Sequence, residues 1–187
     1  MRAGDVAVAL LAAGKGRRFG SDKLLAPIHG IPMGLHIART LNKFDFAARF
    51  AVCGLGAPLE AEFERLGFQT LINENPERAQ ASSLHIAVRA AERTNAQALL
   101  VVLADMPFVT PEHILSVINS GGLAASHDGS AAMPPAVFPR EYWPSLSAAQ
   151  GDRGGRALLS GAKIVHAPPS ELRDIDVAAD LPTPGQS

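Results

Sequence analysis

The chain has 187 residues, with 17 Lys and Arg against 18 Asp and Glu, for a formal net charge of −1. That balance excludes a general nucleic-acid binder, which needs a basic excess or a basic face. A hydrophobic share of 47% against 19% charged excludes a charge-swollen disordered chain. The single cysteine, Cys53, excludes an intrachain disulfide and a cysteine-rich zinc site, which points to a reducing, cytoplasmic setting.

Length predicts one domain over 1–187. Arg2 precedes an apolar run at 6–13 that has the outline of a short secretory leader. Asp5 sits in the would-be basic region, however, and the run passes straight into a basic glycine loop, so it reads as a first strand over 5–11. A helix follows over 31–44, with Pro32 near its start and Leu35, Ala38 and Leu41 on one stripe. Next come a strand at 49–54, a helix at 58–66 ending on Gly67, and a strand at 68–73. A helix over 82–93 aligns Leu84, Val88 and Ala91. The apolar strand 98–104 then leads to a helix over 110–119, with Thr110 as N-cap and Pro111 at the first helical position.

Short strands are predicted at 123–126, 136–138 and 163–166, and residues 181–187 read as a frayed tail. Neither long apolar run approaches the ~20 residues a bilayer span needs. Alternation of strands and helices predicts an α/β fold, a largely parallel sheet with helices on both faces. Such a sheet gathers its ligand at the carboxyl ends of its strands.

The loop after the first strand, Leu11-Ala12-Ala13-Gly14-Lys15-Gly16-Arg17-Arg18-Phe19-Gly20-Ser21-Asp22-Lys23, carries four cations against one carboxylate. Glycines let a backbone approach phosphates closely and aim N–H groups at them, and the cations offset phosphate charge. A basic surface loop is the plainer reading of the same composition. Phe19 breaks a dinucleotide fingerprint, and Ser21-Asp22 after Gly20 breaks a P-loop.

Asp105 closes the 98–104 strand, where a hard carboxylate together with substrate phosphates suits magnesium. A turn-capping Asp is the alternative. Asp174 and Asp176 alternate along an extended segment; Asp176 is either a partner ligand or the N-cap of a short helix over 177–181. The glycine-rich turn Gly151-Asp152-Arg153-Gly154-Gly155-Arg156 precedes a helix start and suits an anionic substrate. The six histidines show no ligand spacing and read as structural or exposed, and Cys53 reads as a buried small hydrophobe. No G-x-S-x-G marks a serine hydrolase.

Five segments, LAAGKGRRFGSDKLLAPIHGIPM at 11–33, NENPERAQASSLHIAV at 73–88, LADMPFVTPEHI at 103–114, PAVFPREYWPSLSAAQGDRGGRALL at 135–159 and DIDVAADL at 174–181, resemble the MobA-like nucleotidyltransferases in order and content. The similarity is greatest to the molybdenum cofactor cytidylyltransferase (MocA-type) branch. It implies a three-layer α/β/α, Rossmann-like domain of the GT-A-like nucleotide-diphospho-sugar transferase fold, with a mostly parallel mixed sheet. Its nucleotide-binding half would be 5–120 and its acceptor-binding half 121–180.

The implied reaction moves CMP from CTP to the terminal phosphate of molybdopterin cofactor and releases pyrophosphate, with Mg2+ or Mn2+ bound. By the resemblance Leu11, Ala12, Ala13, Gly14, Lys15, Gly16, Arg18, Lys23, Ser82, Ser83 and Asp105 bind the nucleotide. Arg18, Lys23 and Asp105 would be catalytic, and Asp105 and Asp176 would hold the metal. Asp152, Arg153, Gly154 and Arg156 would meet the acceptor, a phosphorylated pterin, and a molybdenum hydroxylase would be the client. Ala13 stands where GTP users tend to carry glycine. Phe19, Ala81 and Pro134 depart from the Met, Met and His common in the family. CTP or GTP transfer to another small phosphate, and a non-catalytic cofactor carrier, are the alternatives; neither nucleic acid nor membrane is an expected partner.

Overall fold

The computed structural model describes residues 1–13, 22–75, 79–149, 151, 154–175 and 181, with Ala79, Gly154 and Arg156 described for their backbone alone. Seven strands form one mixed sheet in the order β5-β4-β1-β6-β8-β7-β9. They are β1 (Val6–Ala12), β4 (Ala48–Gly54), β5 (Gln69–Asn73), β6 (Ala98–Leu103), β7 (Ala124–His127), β8 (Ala132–Pro139) and β9 (Lys163–His166). The first four in sheet order run parallel, β8 runs antiparallel to both its neighbours, and β9 is parallel to β7.

β1 is buried along its whole length, as its unbroken apolar run requires of a central strand. Its side chains alternate between two cores. Val6, Val8 and Leu10 pack with α1 (Met33–Leu41), Phe63 of α2 (Glu60–Arg65), and Ile114, Val117 and Ile118 of α4 (Pro111–Asn119). Ala7, Ala9 and Leu11 face α3 (Ala79–Ala91), Trp143 and Leu146 of α5 (Trp143–Ser147), and Leu159. Each large apolar side chain so buried contributes roughly 1.5–3 kcal/mol relative to exposure. Among the described residues no helix is long and apolar enough to cross a membrane.

Local chemistry explains where the elements begin and end. Gly67 adopts φ +80° after α2, its N–H bonding Glu64 O at 2.9 Å while Phe68 N bonds Phe63 O at 3.0 Å, a Schellman closure. Thr110 caps α4 as expected, its side chain accepting from His113 N with Pro111 next in line.

Several boundaries differ from the sequence reading by one to four residues, and three of the differences have a visible cause. The helix expected from residue 31 begins at Met33, because Ile31–Pro32 (β3) pairs with Pro27–Ile28 (β2) across His29 and Gly30. Both turn residues have positive φ, +49° and +78°, as a two-residue hairpin of this kind needs. The helix expected from residue 82 starts at Ala79, because the Ser82 and Ser83 hydroxyls bond Asn73 instead of capping. The strand expected at 136–138 extends over Ala132–Pro139. Its first half escapes a periodicity reading because Pro134 and Pro135 stand at a register break, where ladder donors are dispensable. The helix anticipated after Gly155 is a 3-10 segment, Gly154–Gly161.

The break is tied by a buried polar relay. Ser126 Oγ donates to Pro135 O at 2.8 Å, so it accepts from His113 Nε2 at 2.7 Å. Burial holds the His113 imidazole below its ordinary value of 6.5, with the Glu171 carboxylate opposing that shift. The unfolded histidine therefore takes a proton more readily than the folded one. Its contribution to stability is complete above about 6.5 and is lost as the pH falls through the folded value. Lowering the pH from 7 to 5 is expected to depress Tm in the wild type and to depress it less in His113→Gln, whose amide can still donate to Ser126. An equal acid shift in both proteins would remove His113 from the effect.

Candidate active site

The carboxyl ends of β1, β4, β5 and β6 lie side by side, since Ala12 pairs with Cys53, Gly54 with Asn73, and Leu11 with Leu103. Ala104 N bonds Leu11 O at 3.0 Å and carries the ladder one step past β6, which delivers Asp105 beside Ala12 and Ala13 at the mouth of β1.

Lys23 reaches Asp105 from the other side. It opens a 3-10 turn, Lys23–Leu25, whose N-cap Asp22 accepts from Leu24 N at 3.1 Å. Lys23 Nζ lies 2.6 Å from Asp105 Oδ2, with the two side chains only 10% and 20% exposed. Asp105 Oδ1 is buried and has no hydrogen-bond partner among the described residues. A buried carboxylate oxygen left unpaired is costly unless a ligand supplies the missing positive partner. The donor set therefore fits a hard divalent cation, which takes one or two carboxylate oxygens and completes its shell with water and phosphate. Among the described residues no three potential ligands cluster, so Asp105 would be the described contribution to such a site.

A second constellation stands two strands beyond β1. Asn73, 2% exposed at the end of β5, donates from Nδ2 to Ser82 Oγ at 2.8 Å and Ser83 Oγ at 3.0 Å, while its Oδ1 accepts from Asn75 N at 3.0 Å. Ser82 Oγ in turn donates to Asn75 O at 3.3 Å. Both serines are thereby fixed on the first turns of α3, Ser83 buried and Ser82 at the rim of an open cleft that Asn75, His85 and Gly151 also line. Sequence reasoning missed Asn73. The only available signal was an amide at a strand's carboxyl end.

A small cleft of about 40 Å3 lies between α3, β6, β8 and the 154–161 segment. Leu84, Leu103, Pro134, Gly155 and Leu159 line it, and Gln80 is a polar side chain in its wall. A Cβ at Gly155 would stand 2.8 Å from Leu146 Cδ1, so a larger residue there would have to displace that side chain.

Of the residues expected from sequence, Lys23 and Asp105 meet at the end of β1 and β6, beside Ala12 and Ala13, while Ser82 and Ser83 gather around Asn73. Leu11 belongs to the buried face of β1. Gly14, Lys15, Gly16, Arg18, Asp152, Arg153 and Asp176 lie outside the described residues, as do the side chain of Arg156, all of the expected 177–181 helix but Leu181, and the tail beyond Leu181. Cys53 is fully buried, with burial the main cause of a thiol pushed up to about 12, so it is no nucleophile. His36 and His85 bond the main-chain oxygens of Ile28 and Ala149 at 3.0 and 2.9 Å. His127 and His166 pair edge to face on β7 and β9.

The profile of the MobA-like NTP transferase domain matches residues 8–167. The purine catabolism protein PucB of Bacillus subtilis is 28% identical over 184 residues, 93% of this chain and 90% of that protein. A probable molybdenum cofactor guanylyltransferase of Pyrococcus horikoshii is 36% identical over 111 residues, 59% of this chain and 54% of that one. Among solved structures, Rv0371c of Mycobacterium tuberculosis superposes with a TM-score of 0.78 at 23% identity, covering 96% of each chain. That protein is also known as a manganese complex, which matches with a TM-score of 0.68 at 19% identity.

Proposed function

Because the chain belongs to the MobA-like NTP transferase family, and is therefore a nucleotidyltransferase, we propose that it moves CMP from CTP to the terminal phosphate of molybdopterin cofactor. The observation that carries the site assignment is the Lys23–Asp105 pair at the end of β6, with a buried carboxylate oxygen that has no partner among the described residues. Asn73 and Asp105 terminate strands three places apart, about 14 Å at ordinary strand spacing, a span that suits a base and ribose at one end and a triphosphate at the other. Ala13, 7% exposed at the mouth of β1, puts a methyl group where a glycine would leave room, which favours the smaller pyrimidine.

The acceptor phosphate is already an anionic nucleophile, so the site needs no strong base. An acceptor oxygen attacks the α-phosphorus, the bond to the bridging oxygen breaks, and pyrophosphate leaves with that electron pair. Lys23, with Arg18 and Lys15 of the preceding loop, would offset the repulsion between the two anions and the charge gathering on pyrophosphate. Asp105 and Asp176 would hold Mg2+, which supplies charge neutralisation to the phosphates. Ser83 and Ser82 would meet the nucleoside, and the 152–156 turn the acceptor.

A second acceptor reading rests on the cleft beyond β6. A pterin presents a row of hydrogen-bonding atoms, whereas Leu84, Leu103, Pro134 and Leu159 offer apolar surface, which favours a small phosphate with a less polar body. Pyrophosphate release with Mg2+, comparing CTP, GTP, ATP and UTP against molybdopterin cofactor and a panel of small phosphates, separates the readings. CTP-selective release that requires molybdopterin cofactor is the expected result. Release only with another acceptor would establish the second reading, and nucleotide binding without release from any pair would point to a carrier.

A further inference from the structure

Residues 168–175 run antiparallel to 105–110, and their contacts converge on Asp105. At the far end, Glu171 Oε1 accepts from both Thr110 N at 3.0 Å and Thr110 Oγ1 at 2.5 Å. Thr110 is also the N-cap of α4, its hydroxyl accepting from His113 N at 3.2 Å, so the strap is moored to a helix already fixed in the core. One step closer, the Arg173 guanidinium lies 5.3 Å over the Phe108 ring. At the near end Ile175 N donates to Asp105 O at 3.0 Å. Leu172 and Ile175, 2% and 0% exposed, pin the same segment into the core on its other face. The short helix α6 (Pro169–Leu172) follows Pro168 as N-cap, whose carbonyl accepts from Glu171 N at 2.9 Å, and this sets where Glu171 points.

These bonds do different work. Apolar burial of Leu172 and Ile175 would be enough to anchor the end of the domain. It does not fix the strap along its length, and a slip of one residue would move the Ile175 amide off the Asp105 carbonyl. Glu171, accepting two hydrogen bonds from one residue, sets that register. Arg173 on Phe108 holds the middle.

We propose that Glu171, assisted by Arg173, is a positioning residue for Asp105. Through the strap it fixes the main chain that aims the unpaired Asp105 oxygen at the cation site. This rests on the assignment of Asp105 to a divalent cation above. Partners that orient a ligating carboxylate typically change metal affinity by about tenfold or more when removed.

The test is Mn2+ binding to the whole, nucleotide-free protein, followed by the electron paramagnetic resonance of free Mn2+, with steady-state kinetics alongside. Glu171→Ala is expected to raise the Mn2+ Kd about tenfold and to lower kcat at limiting metal. Nucleotide binding measured without metal stays unchanged. Glu171→Gln keeps an oxygen acceptor for both Thr110 donors and is expected to restore most of the affinity. Arg173→Leu spares the core and gives a smaller loss in the same direction, and it decides the matter if Glu171→Ala does not fold. A lowered Tm with wild-type Mn2+ affinity in both Glu171→Ala and Arg173→Leu would reduce the strap to an anchor and overturn the proposal. Asp105→Asn tests the underlying assignment separately. If that variant binds Mn2+ as the wild type does, the cation site itself is wrong, and the positioning role falls with it.

Discussion

Asp105→Asn is expected to lower kcat roughly 10³-fold or more while leaving the circular dichroism spectrum of the protein unchanged. Asparagine fills the same volume, so the ladder bond from Ala104 N to Leu11 O and the bond from Ile175 N to Asp105 O, both main-chain, survive the change. Charge does not survive. An amide oxygen can still accept from Lys23, but the atom that replaces Oδ1 is neutral, and if it is the NH2 group it points donors at a site that needs an acceptor.

Two anions must then approach each other with one fewer fixed charge to organise the cation between them. The loss should appear in kcat more than in the affinity for nucleotide alone, and the Mn2+ Kd should rise at least tenfold. Pyrophosphate release and Mn2+ titration check both halves. Activity within about threefold of wild type would remove Asp105 from the chemistry and leave it a turn-capping residue, the alternative its position in the sequence also allows.

That alternative shows what could be read from the chain and what could not. The parallel half of the sheet was legible because β1 and β6 are unbroken apolar runs and their flanking helices carry stripes at regular spacing. The end of β6 was therefore placed within a residue, and Asp105 with it. What periodicity could not reveal were features made by tertiary partners. The β2–β3 hairpin is two residues on each side, too short for any pattern, and β8 carries two prolines that read as loop until the register break that accommodates them is seen.

The same limit applies at the site. Lys23 and Asp105 are 82 residues apart and belong to different local motifs, each with a plain structural reading of its own. Their pairing requires the β1–β6 ladder, which no local spacing encodes. Asn73 lay inside a segment that attracted attention for its serines. Its role became visible only when one amide was found to serve Ser82, Ser83 and Asn75 together. The start of α3 moved for the same reason, since hydroxyls engaged by Asn73 leave the helix to begin a turn earlier.

Lys23→Met carries the second large effect, and here stability and function should separate. Methionine keeps much of the aliphatic stem that lies 10% exposed in the wild type, but it removes the ammonium 2.6 Å from Asp105 Oδ2. The carboxylate is then left largely buried without this counter-charge. Removing one partner of a fully buried pair costs about 3–5 kcal/mol, and partial exposure brings the expected loss here to about 2–3 kcal/mol. For a domain of this size that lowers Tm by roughly 5–10 °C.

Divalent cation should restore part of that loss, because it can take the place of the ammonium beside Asp105. The Mn2+ Kd should accordingly stay at the wild-type value or fall, since Lys23 repels a cation from the carboxylate that both engage. Turnover should nevertheless drop roughly 10²-fold or more, because the group that offsets pyrophosphate charge is gone. Loss of activity with metal affinity retained differs from the joint loss of both expected of Asp105→Asn, so the two variants assign different roles to two atoms in contact. The double variant, with neither charge buried, should be more stable than Lys23→Met alone. If the double variant is instead less stable, by about the sum of the two single losses, the pair is not coupled and its geometry does not govern the site.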